Sequence, residues 1–440
     1  MKTVAIVGAG LVGCLAALGL EKEGYDVTIF ELRDDPRKSQ NKQLRSINLA
    51  VSNRGINALR YVDPKLCDKV LERVIPMTGR MIHHVDGKQE SQQYDIDGQG
   101  INSIDRSYLN DLLLDEIDSK SNIKVVFNKK LIKLDLQNDP VLYFSDDSQT
   151  FDLVIGADGS FSKVRQELQK VVRMDYLQEY IDCAYIELSI PAGKSSELFQ
   201  IDKNHLHIWP RHNFMLIALP NLDGSFTSTF FAPWSMIEGL DSDTKVLSFF
   251  QREFPDAVEL ITKEKLLYAF QHHPRGKLLS IKCNPYHYED KVLIIGDAAH
   301  SMVPFYGQGM NCGFEDVFVL LTLLKQHKSI GTTFTEYTKI RHKDLIAIVD
   351  LAIENYKEMS HKVTSKWFLF KKQVDFALTY LLKDKWIPLY TMVSFRDDIP
   401  YSLAVKRWQR QDWILKLIQK CTLGLVGVGI WRLLKLKASK

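Results

Sequence analysis

The hydrophobic positions at the start of the chain change from strand spacing to helix spacing and back. Thr3–Val7 is a short apolar run that ends in glycine, and Leu11–Glu23 places leucines at helical spacing among small residues. Asp26–Glu31 again has the composition of a strand. The pattern therefore predicts a β-α-β unit at the beginning of the chain.

Two later segments alternate between apolar and polar residues with the period of a half-buried strand. Arg80–Tyr94 and Ile186–Phe231 are rich in β-forming residues, as in the string HLHIW at 205–209. We therefore predict an antiparallel sheet that is separate from the β-α-β unit. A buried strand at Val292–Ile295 follows, and the spacing beyond about Thr333 is helical almost to the end.

Composition and charge narrow the class of protein. A chain of 440 residues that is 45% hydrophobic and 25% charged is not disordered, collagen-like or a disulfide scaffold. The net charge of +3 is too small to indicate a nucleic-acid partner, but residues 401–440 carry +8 and residues 1–400 carry −5. The basic character therefore belongs to the C-terminal tail.

The cysteines and the N-terminal sequence indicate the compartment. None of the six cysteines forms a C-x-x-C pair, so the sequence predicts neither a compact zinc motif nor a disulfide framework. This usage suits a reducing compartment. The string MKTVAIVGAG enters a strand at once, and we therefore predict no secretory or transit peptide.

The first motif that carries chemistry is GAGLVG at 8–13, directly after the first strand and at the start of the helix. Gly8 permits the tight turn, Gly10 lets the backbone approach a pyrophosphate, and Gly13 lets the helix pack on the strand. Glu31, eighteen residues beyond Gly13, can accept a hydrogen bond from a ribose hydroxyl. An acid at this position disfavours a 2′-phosphate, so the motif predicts a dinucleotide other than NADP.

Two further motifs follow strands. The string DLVIGADG at 152–159 ends in a turn that carries Asp158, and taken alone it is also compatible with an ordinary strand-turn. The string GDAAH at 296–300 precedes a glycine turn, GQGMN at 307–311. Its acid can hold a ribityl hydroxyl, and the turn offers N–H groups at a helix N-terminus to a flavin ring. We interpret His300 as a packed structural histidine.

In this order and spacing, the three motifs resemble those of the single-component FAD-dependent aromatic hydroxylases, the p-hydroxybenzoate hydroxylase-like family. The sequence contains one dinucleotide fingerprint. This fits a family in which FAD has a dedicated binding domain and NADPH binds only transiently. Other segments resemble the branch of this family that hydroxylates L-kynurenine. They are Arg45–Ala50, Pro76–His83, Leu206–Arg211, Phe214–Pro220, Val303–Phe314, Asn355–Met359 and Ile387–Val393.

The resemblance implies a fold of class α/β plus α+β. It has a Rossmann-type FAD-binding domain, an antiparallel β-sheet substrate domain and a C-terminal helical region. The predicted boundaries are 1–75, 100–175 and 280–330 for the FAD-binding domain, 76–99 and 176–279 for the β-rich substrate domain, 331–412 for the helical region and 413–440 for a basic and apolar membrane-associating tail.

The resemblance also implies an activity. The enzyme would hydroxylate L-kynurenine to 3-hydroxykynurenine through a flavin hydroperoxide, with FAD as cofactor and NADPH and O2 as transient co-substrates. This reaction belongs to tryptophan degradation and the de novo synthesis of NAD. Because the cofactor supplies the chemistry, we expect no catalytic side chain. We also expect no metal site, since His205, His207 and His212 lack a carboxylate or cysteine set at ligand spacing. The alternatives are another FAD aromatic hydroxylase or epoxidase, and a membrane-associated flavoprotein reductase.

The amino-acid part of kynurenine needs a cation for its carboxylate. Arg80 has the planar fork for a bidentate contact, and Tyr94 can donate a hydroxyl. The resemblance adds Asn355 and Tyr390 to this polar set. It assigns the wall of the ring pocket to Phe231, Phe305, Leu206, Met215, Ile217 and Leu219, and the contact between flavin and substrate to Pro304 and Gln308. It assigns FAD binding to Gly8, Gly10, Val12, Gly13, Glu31, Arg33, Ala50, Arg106, Leu131, Asp158, Asp297, Met310 and Asn311.

The tail contains an apolar segment, Cys421–Trp431, between Lys420 and Arg432. A spanning helix needs about 20 apolar residues, so the segment is too short unless its flanking cations snorkel. Together with Trp413 it favours an interfacial helix or a marginal anchor, and the alternative is a helix that packs on the body of the protein. The resemblance implies the cytosol-facing side of the mitochondrial outer membrane.

Overall fold

A computed structural model of the protein describes residues 2–38, 48–194, 197–360 and 365–438. Within these ranges it describes no side chain for residues 357, 366, 368 and 420–438. Positions 45–47 of the segment Arg45–Ala50 and the side chains of the tail segment Cys421–Trp431 therefore lie outside the described part.

The described residues form nineteen strands. In chain order they are β1 (Thr3–Val7), β2 (Asp26–Phe30), β3 (Leu49–Val51), β4 (Ile75–Met77), β5 (Gly79–His83), β6 (Gln89–Gln93), β7 (Ile101–Ile104), β8 (Ile123–Val126), β9 (Lys133–Asp135), β10 (Val141–Tyr143), β11 (Ser148–Thr150), β12 (Leu153–Gly156), β13 (Asp175–Ile190), β14 (His205–Arg211), β15 (Phe214–Pro220), β16 (Phe226–Ala232), β17 (Gly276–Asn284), β18 (His287–Tyr288) and β19 (Val292–Ile294).

The same ranges contain fifteen α-helices and short 3₁₀ turns at Pro304–Tyr306 and Lys383–Lys385. The helices are α1 (Leu11–Lys22), α2 (Asn53–Val62), α3 (Pro64–Leu71), α4 (Arg106–Asp118), α5 (Lys163–Leu168), α6 (Trp234–Gly239), α7 (Asp243–Glu253), α8 (Pro255–Ile261), α9 (Lys263–His272), α10 (Asp297–His300), α11 (Gly309–Gln326), α12 (Ile330–Ser360), α13 (Lys366–Leu382), α14 (Leu389–Ser394) and α15 (Tyr401–Ala438).

A six-stranded sheet, in the order β18-β19-β12-β1-β2-β8, forms the first layer. All its pairings are parallel except that of β18 with β19. Every residue of β12 and β19 is buried, as expected for parallel strands that are covered on both faces. The predicted Rossmann-type unit is confirmed, and its β1-α1-β2 opening follows the hydrophobic pattern.

A seven-stranded sheet, in the order β17-β13-β16-β15-β14-β5-β6, forms the second large layer. One face, which includes Trp209 and Phe230, packs against α6–α9, and the other, which includes Met215 and Phe231, joins the main core. The sheet is antiparallel as predicted, except that β5 and β14 run parallel and place Leu206 opposite Arg80. The long connection between them permits this, since parallel neighbours need a crossover. The domain boundaries stay a prediction.

Arg54 of α2 joins the first layer to the C-terminal helices. Its Nε donates to the carbonyl of Val393 at 3.0 Å, and its Nη2 donates to the carbonyls of Arg396, at 3.1 Å, and Ile399. Its Nη1 pairs with Glu315 of α11 at 2.5 Å. Because the Arg54 side chain is fully buried, these contacts fix α14 and the start of α15 against α2 and α11.

Candidate active site

The loop between β1 and α1 is closed on one side and open on the other. A Cβ on Gly8 would lie 2.5 Å from the carbonyl oxygen of Ala157, and one on Gly13 would lie 2.0 Å from that of Gly8. A Cβ on Gly10 would meet nothing within 4 Å, although α1 begins at the next residue. The open position therefore lies at a helix N-terminus, where free N–H groups and the helix dipole favour the phosphates of FAD.

Glu31 follows β2 and holds the other side of this loop. One carboxylate oxygen accepts from the N–H of Ala9 at 2.9 Å. The other accepts from the backbone N–H of Arg33 at 3.0 Å and from its Nε at 2.8 Å. The oxygen that accepts from Ala9 keeps a further lone pair, so Glu31 can shape the loop and still accept from a ribose hydroxyl.

Asp158 is directed into the protein. Its carboxylate accepts from the hydroxyl of Ser162 and from the N–H groups of Lys163, at 2.6 Å, and Val164, at 3.1 Å. Burial raises the pKa of Asp158. The residue therefore caps α5 and fixes the turn after β12, and any contact with FAD would come from the backbone that it holds.

Asp316 of α11 fixes the turn after β19. Gly296 has φ +59° and donates its N–H to Asp316 at 3.0 Å, while Arg341 of α12 donates to the same carboxylate at 2.9 Å and His300 pairs with it. Although burial opposes its charge, His300 and Arg341 lower the pKa of Asp316 to about 2. Asp297, next in the chain after Gly296, is exposed.

Asn311 joins the glycine turn before α11 to β3. Its amide nitrogen donates to the carbonyls of Ala50, at 2.7 Å, and Gly307, at 2.8 Å, and its oxygen accepts from the N–H of Ser52 at 2.9 Å. The side chain is fully buried and its hydrogen bonds are used internally. Asn311 therefore holds the backbone groups that a flavin ring would meet.

The three motifs meet because β1, β12 and β19 are parallel neighbours whose carboxyl ends share one edge of the sheet. Val12 of the first motif packs against the third, since a Cβ on Gly296 would lie 3.2 Å from its side chain. The other predicted FAD residues differ in exposure: the side chain of Arg33 is 72% exposed, Arg106 is exposed, and Leu131 and Met310 are buried. The open Gly10 position and the acids around it fit FAD.

A cavity of about 580 Å³ brings the predicted polar residues together. Arg80 comes from β5, Tyr94 follows β6, Asn355 lies on α12 and Tyr390 lies on α14. The volume is that of a typical small-molecule site. The full lining is Arg80, Tyr94, Tyr306, Leu351, Glu354, Asn355, Glu358, Ser365, Trp367, Lys371, Lys372, Asp375, Phe376, Pro388, Leu389, Tyr390 and Trp408.

Arg80 is the main charged group of this cavity. Its Nη1 donates to Glu358 at 3.0 Å, and its guanidinium carbon lies 5.2 Å from the ring centre of Tyr390. The rings of Tyr94 and Tyr390 stack at 4.7 Å. Burial opposes the charge on Arg80, but Glu358, Tyr390 and Tyr94 raise its pKa above the ordinary value. Within the described ranges, the Nε of Arg80 and the hydroxyl of Tyr94 are buried without a hydrogen-bond partner.

The predicted apolar wall lies beside this cavity, and none of its members appears in the lining just given. The ring centres of Phe231 and Phe305 are 5.0 Å apart, and the side-chain amide of Asn355 donates to the carbonyl of Phe305 at 2.6 Å. The remaining members are buried or partly buried in the main core. They are Leu206, Met215, Ile217 and Leu219. Of the two residues predicted to lie between flavin and substrate, Pro304 starts a 3₁₀ turn and Gln308 accepts from the hydroxyl of Tyr401 at 3.0 Å.

Sequence reasoning missed Glu358 and Lys372 of the cavity. Glu358 lies three residues after Asn355, so helical spacing alone would have placed the two on one face of α12. Lys372 lies in a segment that is rich in lysine and aromatic residues, and no local pattern separates it from its neighbours. Its place in the cavity depends on the tertiary packing of α13, which has no signal in the local sequence.

Known proteins resemble this chain over nearly its whole length. A family model described as an FAD binding domain matches residues 1–350. Kynurenine 3-monooxygenase of Candida albicans is 56% identical, covering 97% of this chain and 95% of the relative. The enzymes of that name from Saccharomyces cerevisiae, at 50% identity with 99% and 98% coverage, and Drosophila willistoni, at 45% with 98% and 94%, are also similar.

Solved structures share the fold. 2-Methyl-3-hydroxypyridine-5-carboxylic acid oxygenase superposes with a TM-score of 0.66 at 20% identity, covering 82% of this chain and 93% of that one. PqsL, a probable FAD-dependent monooxygenase from Pseudomonas aeruginosa, superposes with a TM-score of 0.66 at 18% identity, covering 84% and 99%. At these identities the likeness concerns the architecture alone.

Proposed function

Because this chain belongs to the kynurenine 3-monooxygenase family of FAD-dependent monooxygenases, we propose that it hydroxylates L-kynurenine to 3-hydroxykynurenine, with NADPH and O2 as co-substrates. The assignment of kynurenine as the substrate rests on the environment of Arg80. A buried guanidinium with an unused N–H, beside an unpartnered tyrosine hydroxyl, suits the carboxylate of an amino acid. A substrate without a carboxylate would offer no anion to pair with this buried guanidinium.

The residues of the cavity would bind and orient kynurenine. Arg80 and Tyr94 would take its carboxylate, and Tyr390 would support both through its stacked ring. Asn355 already holds the backbone of Phe305, so it would set the distance between the polar end and the aromatic wall. Because Phe231 and Phe305 are buried, this wall would keep water away from the reacting carbon of the aniline ring.

FAD would be held by the motifs at the edge of the six-stranded sheet. The N-terminus of α1 at Gly10 would receive the phosphates, Glu31 the ribose, and Asp297 the ribityl chain. When bound, FAD supplies the activation of O2 after reduction by NADPH. Asp316 and Asn311 hold the two turns that would meet the cofactor, and both side chains are fully buried, so they would position the cofactor without touching the substrate.

The direct test is turnover by the purified protein. It is loaded with FAD and incubated with NADPH, O2 and L-kynurenine, and the product is identified by mass. We expect 3-hydroxykynurenine, with NADPH consumption stimulated by kynurenine. NADPH oxidation without oxygen uptake would favour the reductase alternative, and hydroxylation of another ring but not of kynurenine would favour the other hydroxylases.

We also propose that the C-terminal helices bind a membrane surface, at the cytosolic side of the mitochondrial outer membrane. On α13, Trp367, Phe370 and Tyr380 are exposed, and on α15 Trp413 is 63% exposed. Large apolar side chains beside a segment with a charge of +8 are typical of helices that lie in a membrane interface. In the part of the chain that the structure describes, no helix has the length and apolarity needed to cross a bilayer.

Two measurements test the membrane proposal. The full chain should pellet with anionic vesicles on sedimentation. Replacing Trp413, Leu417 and Ile418 by serine should lower the fraction that pellets without loss of FAD. Protease treatment of intact mitochondria from cells that express the protein should degrade it, because a cytosol-facing protein is accessible. Full-length protein that stays in the supernatant at low salt would contradict binding to the membrane, and protection from protease would contradict the orientation.

A further inference from the structure

Arg80 has an ionic partner before any substrate arrives. Its Nη1 donates to Glu358 at 3.0 Å, and the guanidinium is almost fully buried. A substrate carboxylate placed on Arg80 would come close to the carboxylate of Glu358. Two like charges repel strongly where water is largely excluded. Binding at Arg80 therefore requires another partner for Glu358.

Lys372 is a second cation in the same cavity, and it forms no ion pair with any described residue. It lies on α13, across the cavity from Glu358 on α12. Its Nζ lies 5.5 Å from the ring centre of Phe376 on its own helix. Burial and the charge of Arg80 lower the pKa of Lys372 to about 8, and the charges of Glu358 and Glu90 oppose this only in part. A partly buried ammonium without a counter-ion is unfavourable, and a carboxylate beside it would remove this penalty.

The other acids near Lys372 have partners or face solvent. Asp375, on the same helix, accepts from the indole of Trp386 at 3.0 Å, and Glu90 of β6 lies 3.7 Å from His84. Glu354 lines the cavity but is exposed. The charged groups that face Lys372 are Arg80 of β5, Glu90 of β6 and Glu358 of α12, together with Asp375 and Lys371 on α13, the last paired with Asp412. Glu358 is thus the acid that substrate binding would release beside it.

We infer that Lys372 is a positioning residue that receives Glu358 when the substrate carboxylate takes Arg80. This inference rests on the proposed function and deepens it. The ion pair Arg80–Glu358 of the free enzyme is replaced by two pairs, Arg80 with the substrate and Lys372 with Glu358. α12 and α13 are then joined across the cavity only while an amino-acid substrate is bound. The competing arrangement keeps Glu358 at Arg80 and uses it to hold the ammonium group of the substrate.

A double-mutant cycle separates these arrangements. Lys372→Met should raise the KM for L-kynurenine by about tenfold, the size of one coupling between neighbouring charged groups, while kcat changes by less than about twofold. In the Glu358→Gln background the same substitution should change KM by less than about twofold, because position 358 then has no carboxylate for Lys372 to pair with. Lys372→Arg should restore most of the wild-type KM.

The matched control is Lys339→Met. Lys339 lies on α12 outside the cavity, where its exposed side chain pairs with Glu336, so its replacement should leave KM unchanged. FAD content, read from the visible spectrum of each sample, should be equal in all variants. The analogue that carries a hydrogen in place of the α-amino group provides the second substrate. Lys372→Met should weaken its binding at least as much as that of L-kynurenine.

The pH profile with this analogue is a readout that a purely structural role would not move. Below about pH 8 Lys372 is protonated and can receive Glu358, and above it this contribution is lost. Wild-type KM should therefore rise through this range, while that of Lys372→Met should stay flat.

Each contrary result has a distinct meaning. A Lys372→Met enzyme with wild-type KM overturns the inference, and so does an equal effect of this substitution in the Glu358→Gln background, which would place Lys372 directly on the substrate. Weakened binding of L-kynurenine but not of the analogue in Glu358→Gln would assign Glu358 to the ammonium group and overturn it as well. A wild-type enzyme that neither binds nor hydroxylates kynurenine would overturn the proposed function itself.

Discussion

The two ends of the active site are built in different ways. At the FAD end, neighbouring parallel strands deliver short motifs to one edge of a sheet, and Glu31, Asp316 and Asn311 use their polar atoms to hold the surrounding backbone. At the substrate end, side chains from four distant stretches meet in a cavity, where the Nε of Arg80 and the hydroxyl of Tyr94 have no partner in the described part of the chain. At the cofactor end these polar side chains are paired within the protein, whereas at the substrate end some polar atoms are left for a ligand to pair with.

This difference separates two kinds of mutational effect. Changes to Glu31, Asp316 or Asn311 at the FAD end disturb hydrogen bonds that also hold the fold, so cofactor retention and stability should fall together. Changes at the substrate end remove groups that keep polar atoms unused within the described residues, the Nε of Arg80 and the hydroxyl of Tyr94, so they should affect substrate binding more than the fold or the flavin content. Each of the following experiments can break or sharpen this separation.

The largest effect is expected at the glycine loop. Gly10→Val fills the open side of the loop, so the protein should fold but retain no flavin. Gly13→Val is the control, because its Cβ would lie 2.0 Å from the carbonyl oxygen of Gly8 and should also lower Tm. Flavin absorbance and thermal unfolding measure the two effects. A yellow Gly10→Val protein would remove the loop from the FAD site.

Asp316→Asn should affect both stability and cofactor. It leaves His300 and Arg341 facing a neutral side chain in the core, at a cost of about 3–5 kcal/mol in the free energy of unfolding. The turn at Gly296 should loosen, so the Kd of FAD should rise as well. The carboxylate has a lowered pKa of about 2, so its contribution is present near neutral pH and is lost as the pH falls toward 2. Denaturant unfolding at several pH values checks this, and a variant as stable as wild type would contradict it.

Arg80→Met should affect substrate binding alone. Loss of a bidentate partner for a buried carboxylate costs about 2–5 kcal/mol, or roughly 30- to 4000-fold in apparent affinity. FAD content should be unchanged, and Arg80→Lys should rescue only in part, because an ammonium lacks the fork. The measurement is NADPH oxidation over a kynurenine titration. Unaltered dependence on kynurenine would remove the strongest reason to assign an amino-acid substrate.

Tyr94→Phe should have the smallest effect of this series. It removes one hydrogen bond to the substrate carboxylate, worth about 1.5–3 kcal/mol, and keeps the ring that stacks on Tyr390. Since the hydroxyl has no partner in the described part of the free enzyme, the variant should be at least as stable as wild type. A drop in Tm would show that the hydroxyl is already in use.

The FAD end could be predicted from sequence because its signals are local. Gly8 and Gly10 lie between β1 and α1, Gly13 lies in the first turn of α1, and their spacing predicts the turn that the structure shows. The orientation of Asp158 was not visible in this way. Its capping of α5 depends on Ser162 and on the direction in which the turn leaves the sheet.

The substrate end could not be derived from local pattern. Arg80, on a short strand, would ordinarily be a surface residue, and resemblance to a family was needed to assign it to a pocket. The parallel pairing of β5 with β14 and the position of α13 are tertiary features without a periodic signal. Glu358 and Lys372 were therefore missed, although they set the charge that the substrate meets.

The burial of Arg54 limits how the chain can be shortened. Its guanidinium is bound by carbonyls that precede α15 and lies 4.0 Å from the ring centre of Tyr401. A chain that stopped before Val393 would lose these carbonyls and leave several N–H donors of a buried cation without acceptors, and one that stopped before Tyr401 would lose the ring that lies against the guanidinium. A version designed for crystallisation should therefore be trimmed from the C-terminal end of α15, one helical turn at a time, and should keep Tyr401.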